Sequence, residues 1–352
     1  MSVKSSKFIL NSLILAFSVP SFAQTSDMSE HIETIVDAKP LERQEPKYPI
    51  NAARNGQEGW AKVSFVIDQN GNVVDPVIQD SSGLNSFEKE TLKAVKNWKY
   101  SPAMQDGQPI EQCQMEVQID YRLSGESGVT RKFQSAYQQV LDAITAKELE
   151  LAEKLLSKMA DSKMWNHSEN SYFWLADSMY AKEIDDMQRE LVGVNRALAS
   201  GKDALNPATF LYLLTRQFAL FTTDTQYSKA MQSYKQILQQ EDNTAVVANL
   251  EPYASQLQNM LQGSEPLIHS TKIRTSGSTY HELSRESFAL HINEGELDEV
   301  QLRCANKRAR FTASENSEWR IPASWGQCTL FVTGTPDSQF DVIELGAYKG
   351  QI

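Results

Sequence analysis

Residues 112–121 read QCQMEVQIDY, and this stretch decides the fold. Cys113, Met115, Val117, Ile119 and Tyr121 alternate without a break with Gln112, Gln114, Glu116, Gln118 and Asp120. A period of two puts the apolar side chains on one face of a β-strand and the polar ones on the other. One face is then buried and the other wet, as in an antiparallel sheet covered on a single side. Further out, Val63, Phe65 and Ile67 alternate with Lys62 and Ser64. Asn70-Gly71 tolerate positive φ and predict a hairpin turn into a second strand from Val73 to about Gln79. Ser81-Ser82-Gly83 break that strand. Asn85 or Ser86 then caps a helix with Phe87, Thr91, Ala94, Val95 and Trp98 on its apolar face, and Pro102 ends the element. A short helix from Ile50 to Asn55 precedes all of this, ended by Gly56. The order helix, strand, strand, helix, strand predicts a three-stranded antiparallel sheet with one face under a helix, over residues 46–123.

The spaced run Tyr48-Pro49, Gly59, Val63-Ser64-Phe65, Asp68-Gln69-Asn70-Gly71, Ser81-Ser82-Gly83, Phe87, Ala94, Trp98, Pro102, Gly107 and Pro109 resembles the C-terminal domain of the TonB family of energy transducers. The resemblance covers about a fifth of the chain. It implies a protein-binding module in which the domain pairs with the short N-terminal box of an outer-membrane transporter. Carried onto this sequence, it implies binding contacts from Gln44, Pro46, Tyr48 and Pro49 and from the strand residues Cys113, Gln114, Met115, Glu116, Val117, Gln118, Ile119 and Tyr121. The residues themselves allow two uses of that strand. It comes last in the domain and is expected at a sheet edge, where N–H and C=O groups lack partners. From Glu111 to Tyr121 there is no Pro, Gly or Lys to blunt it. Such an edge is either covered by another part of the chain or used to capture a strand by β-augmentation.

The chain also departs from the family. A standard transducer has an N-terminal membrane helix coupled to a proton-driven inner-membrane complex, and a Pro-rich spacer. Here Lys4 and Lys7 precede an apolar stretch from Phe8 to Val19, followed by Ser21-Phe22-Ala23. That pattern predicts a cleavable signal peptide over residues 1–23 and a periplasmic mature protein. The alternative is an uncleaved inner-membrane anchor, but the apolar stretch is short for about 30 Å of hydrocarbon. The mature chain of about 329 residues would carry a net charge near −13, against −11 for the whole sequence. An acidic balance argues against nucleic acid and anionic membrane as partners. Residues 24–45 are polar without a period and read as a linker.

The remaining sequence changes period twice. Over residues 130–262 the period is 3.6, beginning with Phe133, Ala136, Tyr137, Val140, Leu141 and Ile144, and seven helices are expected. Ala230, Tyr234 and Glu241-Asp242-Asn243 loosely resemble the second helix of a tetratricopeptide repeat. The alternatives are a degenerate repeat array and an irregular bundle. Over residues 265–352 short alternating runs return, such as Phe288, Leu290 and Ile292, and predict a small all-β domain of sandwich type. The fold class is thus multidomain α+β.

Three cysteines are present. Cys304 and Cys328 share the apolar parity of Leu302 and Leu330, which predicts a disulfide. Closing that loop contributes on the order of 3 kcal/mol. A metal site would need two further ligands, and no paired His or Cys spacing supplies them. Cys113 reads as a small core residue. His281-Glu282 lacks a second His four residues on, and neither a Gly-x-Ser-x-Gly elbow nor a phosphate loop occurs. The expectation is a non-enzymatic adaptor without cofactor, metal or small-molecule substrate. Its partners would be outer-membrane TonB-dependent transporters or TonB-system components. The alternative is a scaffold whose helical array recruits other proteins.

Overall fold

The computed structural model describes residues 35–123, 128–162, 165–201, 203–313 and 317–346. The signal expected over residues 1–23 lies outside the described residues, as does the first part of the linker. The described residues belong to one compact α+β unit. Its first part comprises β1 (Ile35–Val36), β2 (Lys39–Glu42), α1 (Ile50–Arg54), β3 (Gly59–Ile67), β4 (Val73–Ser81) and α2 (Asn85–Val95). β5 (Lys99–Ser101), β6 (Ala103–Gln105), β7 (Gln108–Ile110) and β8 (Gln112–Tyr121) follow.

The principal sheet is antiparallel with order β4-β3-β8. Val63, Phe65 and Ile67 bury one face against Val95, Trp98 and Tyr100, with Met115, Val117 and Ile119 of β8 packed on the same cluster. Part of the expected linker differs from that reading. β1 pairs with β6 and β2 with β5, so residues 35–42 are stitched to the edge of this region. Both strands are exposed along their whole length, so no apolar alternation marks them; main-chain pairing holds them.

The sheet is bulged where it meets the rest of the chain. Ser64 and Val66 oppose Val77 and Val74, leaving one extra residue in β4 around Asp75-Pro76. Asp75 takes a positive φ of 48° there. Phe65 and Ile67 oppose Met115 and Gln112, so β8 carries one extra residue around Cys113-Gln114. Bulges bend an edge and disrupt its pairing.

Seven helices follow: α3 (Arg131–Thr145), α4 (Leu149–Ser162), α5 (His167–Glu183), α6 (Met187–Gly201), α7 (Pro207–Thr223), α8 (Tyr227–Leu238) and α9 (Thr244–Gln262). The first six pair as three hairpins with the same local grammar. Thr130, Asn166 and Asn206 cap α3, α5 and α7 through their side chains. Each of these helices then ends on a left-handed residue: Lys147, Asp185 and Thr225. The next N–H reaches back five residues at 2.9 Å in each case, from Glu148 to Ala143, Asp186 to Ala181 and Gln226 to Phe221. This is the six-to-one bond of a Schellman turn, formed here without glycine. Asp185 lies 38 residues after Lys147 and Thr225 lies 40 after Asp185, so the repeat length is not the 34 of a tetratricopeptide unit.

The last part is β9 (Leu267–Lys272), β10 (Ser278–Glu282), β11 (Ser287–Glu294), β12 (Leu297–Cys304), β13 (Arg308–Thr312), β14 (Glu318–Arg320), β15 (Cys328–Gly334) and β16 (Gln339–Leu345). They form two four-stranded sheets, β10-β15-β12-β13 and β14-β11-β16-β9. Phe288, Leu290, Phe340 and Val342 of one sheet share a core with Val300, Leu302, Leu330 and Val332 of the other. Cys304 and Cys328 are direct partners in the β12–β15 register and form a disulfide.

β9 meets the α7–α8 turn at His269. Its Nδ1 lies 3.0 Å from both the Asp224 carbonyl and the Thr225 hydroxyl, and its ring stacks on His281 at 4.5 Å. Burial, reinforced by His281, pushes its pKa down to about 4. The unfolded chain takes up this proton below about pH 6.5. The folded chain does so only near 4, so stability falls as pH is lowered across that window. Replacing His269 with Gln should remove on the order of 2–3 kcal/mol of the pH dependence between 6.5 and 4. Urea unfolding at a series of pH values checks this; an unchanged profile in the variant would contradict the assignment.

Candidate protein-binding edge

β8 is the outer strand of the order β4-β3-β8, and among the described residues no strand pairs with its outer side. Gln114, Glu116, Gln118 and Asp120 are exposed, while Met115, Val117 and Ile119 are half-buried on the α2 side. The opposite edge is differently built. Pro76 removes a donor from β4, and the Asp75 bulge bends it. From Met115 to Tyr121 the register of β8 on β3 runs one to one. Seven residues of regular edge span roughly 24 Å at about 3.4 Å each.

The start of β8 is not free. The Cys113 N–H donates to the Ala305 carbonyl at 3.3 Å, in the turn between β12 and β13. Arg308 bridges two acids at this end of the sheet, Asp75 on β4 and Glu111 just before β8, the latter at 2.9 Å. Arg310 also contacts Asp75 at 2.6 Å, and Arg303 donates to the Asp75 main-chain carbonyl at 3.1 Å. Burial would raise the Asp75 pKa, but Arg308, Arg310 and Arg303 together hold it below the ordinary carboxylate value. This cluster therefore persists above about pH 4 and weakens as pH falls through the lower folded value. Half-buried pairs of this kind contribute on the order of 1 kcal/mol each, and shared partners make them a network.

The Gln44–Pro49 segment lies along the same region. The Trp98 indole N–H donates to the Gln44 carbonyl at 2.8 Å, and Arg43 stands over the Trp98 and Tyr100 rings. Pro46 and Pro49 are half-buried, and Pro49 stands at the N-terminus of α1. Tyr48 packs edge-on against Phe87 and Tyr121, each at 5.7 Å, and donates to the Gln57 carbonyl at 2.6 Å. Tyr48 thus joins this segment to the far end of β8 through packing.

The polar face of the sheet looks into the rest of the chain. A cavity of about 490 Å³ is lined by Lys62, Glu116, Gln118, Gln217, Lys229 and Arg303, among others. Lys62 pairs with Glu116, and the Gln118 amide donates to the Ala199 carbonyl at the end of α6 at 2.9 Å. Just before β3, Glu58 ties the sheet to the helices. Its carboxylate accepts from the Leu123 N–H at 2.6 Å and from the His167 N–H at the start of α5 at 2.8 Å. Arg196 of α6 pairs with Asp80 of β4 at 2.9 Å.

Residues 44–123 match the family model described as Gram-negative bacterial TonB protein C-terminal. That match covers 80 of the 352 residues. The chain is 32% identical over 81 residues to Protein TonB of Vibrio cholerae serotype O1, covering 23% of this chain and 33% of that protein. It is 36% identical over 62 residues to Protein TonB of Escherichia coli strain K12, covering 18% and 26%. It thus spans about a third or less of the length of these relatives. The solution NMR structure of the Pseudomonas aeruginosa TonB CTD is 27% identical and aligns with 26% of this chain and 91% of its own, with a TM-score of 0.24.

The structure places Gln114, Met115, Glu116, Val117, Gln118 and Ile119 in one outer strand, with Tyr48 and Tyr121 together at its end. The Gln44 carbonyl accepts from Trp98, Pro46 is half-buried, and Cys113 is engaged by Ala305. The alternation over 112–121 is unbroken in the sequence, yet in the fold β8 is bulged at Cys113-Gln114. The extra residue accommodates the turn of β12 and β13, more than 190 positions away in sequence, so nothing local announces it. Asp75, Glu111, Arg303, Arg308 and Arg310 were not singled out from sequence. Arg308 and Arg310 share one strand face, but their acidic partners are visible only in the fold.

Cys113 is buried and free. Burial, and then the Glu111 charge, push its thiol up to about 12. Thiol-labelling of the native protein should therefore be negligible. Denaturation without reductant should expose one thiol, and reduction two more. Rapid labelling of the native protein would contradict this packing.

Proposed function

We propose that the chain is a periplasmic adaptor that captures an extended segment of a partner on β8 by β-augmentation. The partner class is outer-membrane TonB-dependent transporters or TonB-system components, in keeping with the TonB match over residues 44–123. The carrying observation is the one-to-one edge from Met115 to Tyr121, unpaired on its outer side among the described residues. Main-chain bonds would supply the affinity, and alternate side chains the selectivity. On the polar face, side chains of a captured strand would continue the row of Glu116 and Gln118 beside the cavity; on the other they would continue Val117 and Ile119. The Gln44–Pro49 segment would take part at the Tyr48 end. An export signal over residues 1–23, as the sequence leads us to expect, would put the protein in the periplasm. The helical array, buttressed against the sheet through Glu58 and Arg196, is free to engage a second protein on its far side.

Successive residues of a strand point their main-chain groups to opposite sides. Of Val117 and Gln118, one faces β3 and the other faces outward. Proline at the outward position removes a docking donor and leaves the β3 ladder intact; at the inward position it breaks the ladder. Titration of the mature chain with peptides from transporter N-terminal segments, read by fluorescence anisotropy, should show at least a tenfold loss of affinity for the outward variant with near-native thermal stability. The other variant should lose stability as well. Gln118→Ala should bind within about threefold of wild type, because main-chain bonds carry the contact. Wild-type binding unaffected by either proline would contradict capture at β8.

A further inference from the structure

The outer side of β8 is not uniformly available. At its start the Cys113 N–H is already used by the Ala305 carbonyl, and the Gln114 side chain reaches the Arg303 carbonyl at 3.5 Å. The turn that carries Ala305 is held from several directions. The Ala305 N–H donates to the Gln327 carbonyl at 3.0 Å, and the Cys304 N–H to the Lys307 carbonyl at 2.9 Å. Asn306 donates to the Ser324 carbonyl at 2.9 Å, and the Cys304–Cys328 disulfide closes the base. Immediately after the turn, Arg308 grips Asp75 and Glu111, one acid near each edge of the sheet. A turn fixed in this way cannot swing aside as a flexible loop would.

We propose that the turn Cys304–Lys307 is an end stop on the acceptor edge, locked by Arg308 between Asp75 and Glu111. It limits a captured strand to Met115–Tyr121, so that the partner pairs over about seven residues and must end or turn away at Cys113. This rests on the capture reading above and adds the length selectivity of the site. The bulge at Cys113-Gln114 serves the same end: it marks the point where pairing to β3 changes step and pairing to an added strand would lose register. The C-terminal sheets thereby act on the binding edge as a ruler, a role that the TonB-like region could not perform alone.

The test compares the mature wild-type chain with Asp75→Asn/Glu111→Gln, which keeps side-chain size and, at residue 75, a residue that tolerates positive φ. Arg308→Gln serves as a second variant that removes both contacts by one change on the other side. Two readouts are taken. In the first, nested peptides of five, seven, nine and eleven residues from the N-terminal segment of an outer-membrane transporter are titrated. For wild type, affinity should rise up to seven residues and then level off. For the variants, nine and eleven residues should bind at least fivefold more tightly than seven. In the second, hydrogen exchange of the Cys113 amide is followed without any peptide. It should be slow in wild type and at least tenfold faster in either variant. The same length dependence in wild type and variants, or a wild-type affinity that keeps rising through eleven residues, would overturn the end stop. If no peptide binds any form, the capture reading fails, and the exchange rate still decides whether the turn locks the edge; equal rates would sink the stop independently.

Discussion

Backbone N–H and C=O groups in a sheet need partners, and the organisation of this protein turns on where that need is left to solvent. In the TonB-like region β3 is satisfied on both sides, by β4 and β8. β4 is blunted by Pro76 and its bulges. Of the two edges of this sheet, β8 carries the proline-free one, regular from Met115 to Tyr121, and its start is engaged by a turn from the far end of the chain. The remaining elements hold that strand: α2 covers its apolar face, Tyr48 packs at its end, and the helices and sheets behind it face its polar side.

Charge and caps, more than a continuous apolar core, join these parts. Each part has its own buried cluster: one in the TonB-like sheet, two in the helices and one between the two C-terminal sheets, with a small aromatic group around Phe87. Between them run Glu58 to α5, Arg196 to Asp80, and Arg308 to Asp75 and Glu111. Interfaces of this polar kind hold orientation through geometry, and truncating one partner of a half-buried pair leaves the other unsatisfied. Asp75 is the extreme case: three arginines converge on it at a position with a φ of 48°.

Much of the fold was legible because periodicity is local. The alternation in 112–121 and the apolar spacing of Phe87, Thr91, Ala94 and Val95 are strand and helix read directly, and all four of those helix residues are buried. The Cys304–Cys328 pairing was legible too, because both cysteines share parity with core leucines. What escaped were the features that depend on tertiary partners. β1 and β2 carry no pattern because both faces are exposed. The Schellman turns at Lys147, Asp185 and Thr225 were hidden because glycine, their usual marker, is absent. For the site, the strand itself could be read, but the occupied start could not. The Ala305 carbonyl is a main-chain group, and no side-chain signal marks it.

The most direct test of the account is site-specific photo-crosslinking in the living cell. A photo-reactive residue at exposed Gln118 should yield an adduct with an outer-membrane transporter, and the same residue at exposed Lys93 of α2 should not. Adducts from Lys93 but none from Gln118, or a Gln118 adduct formed only with this chain's own residues, would contradict capture on β8.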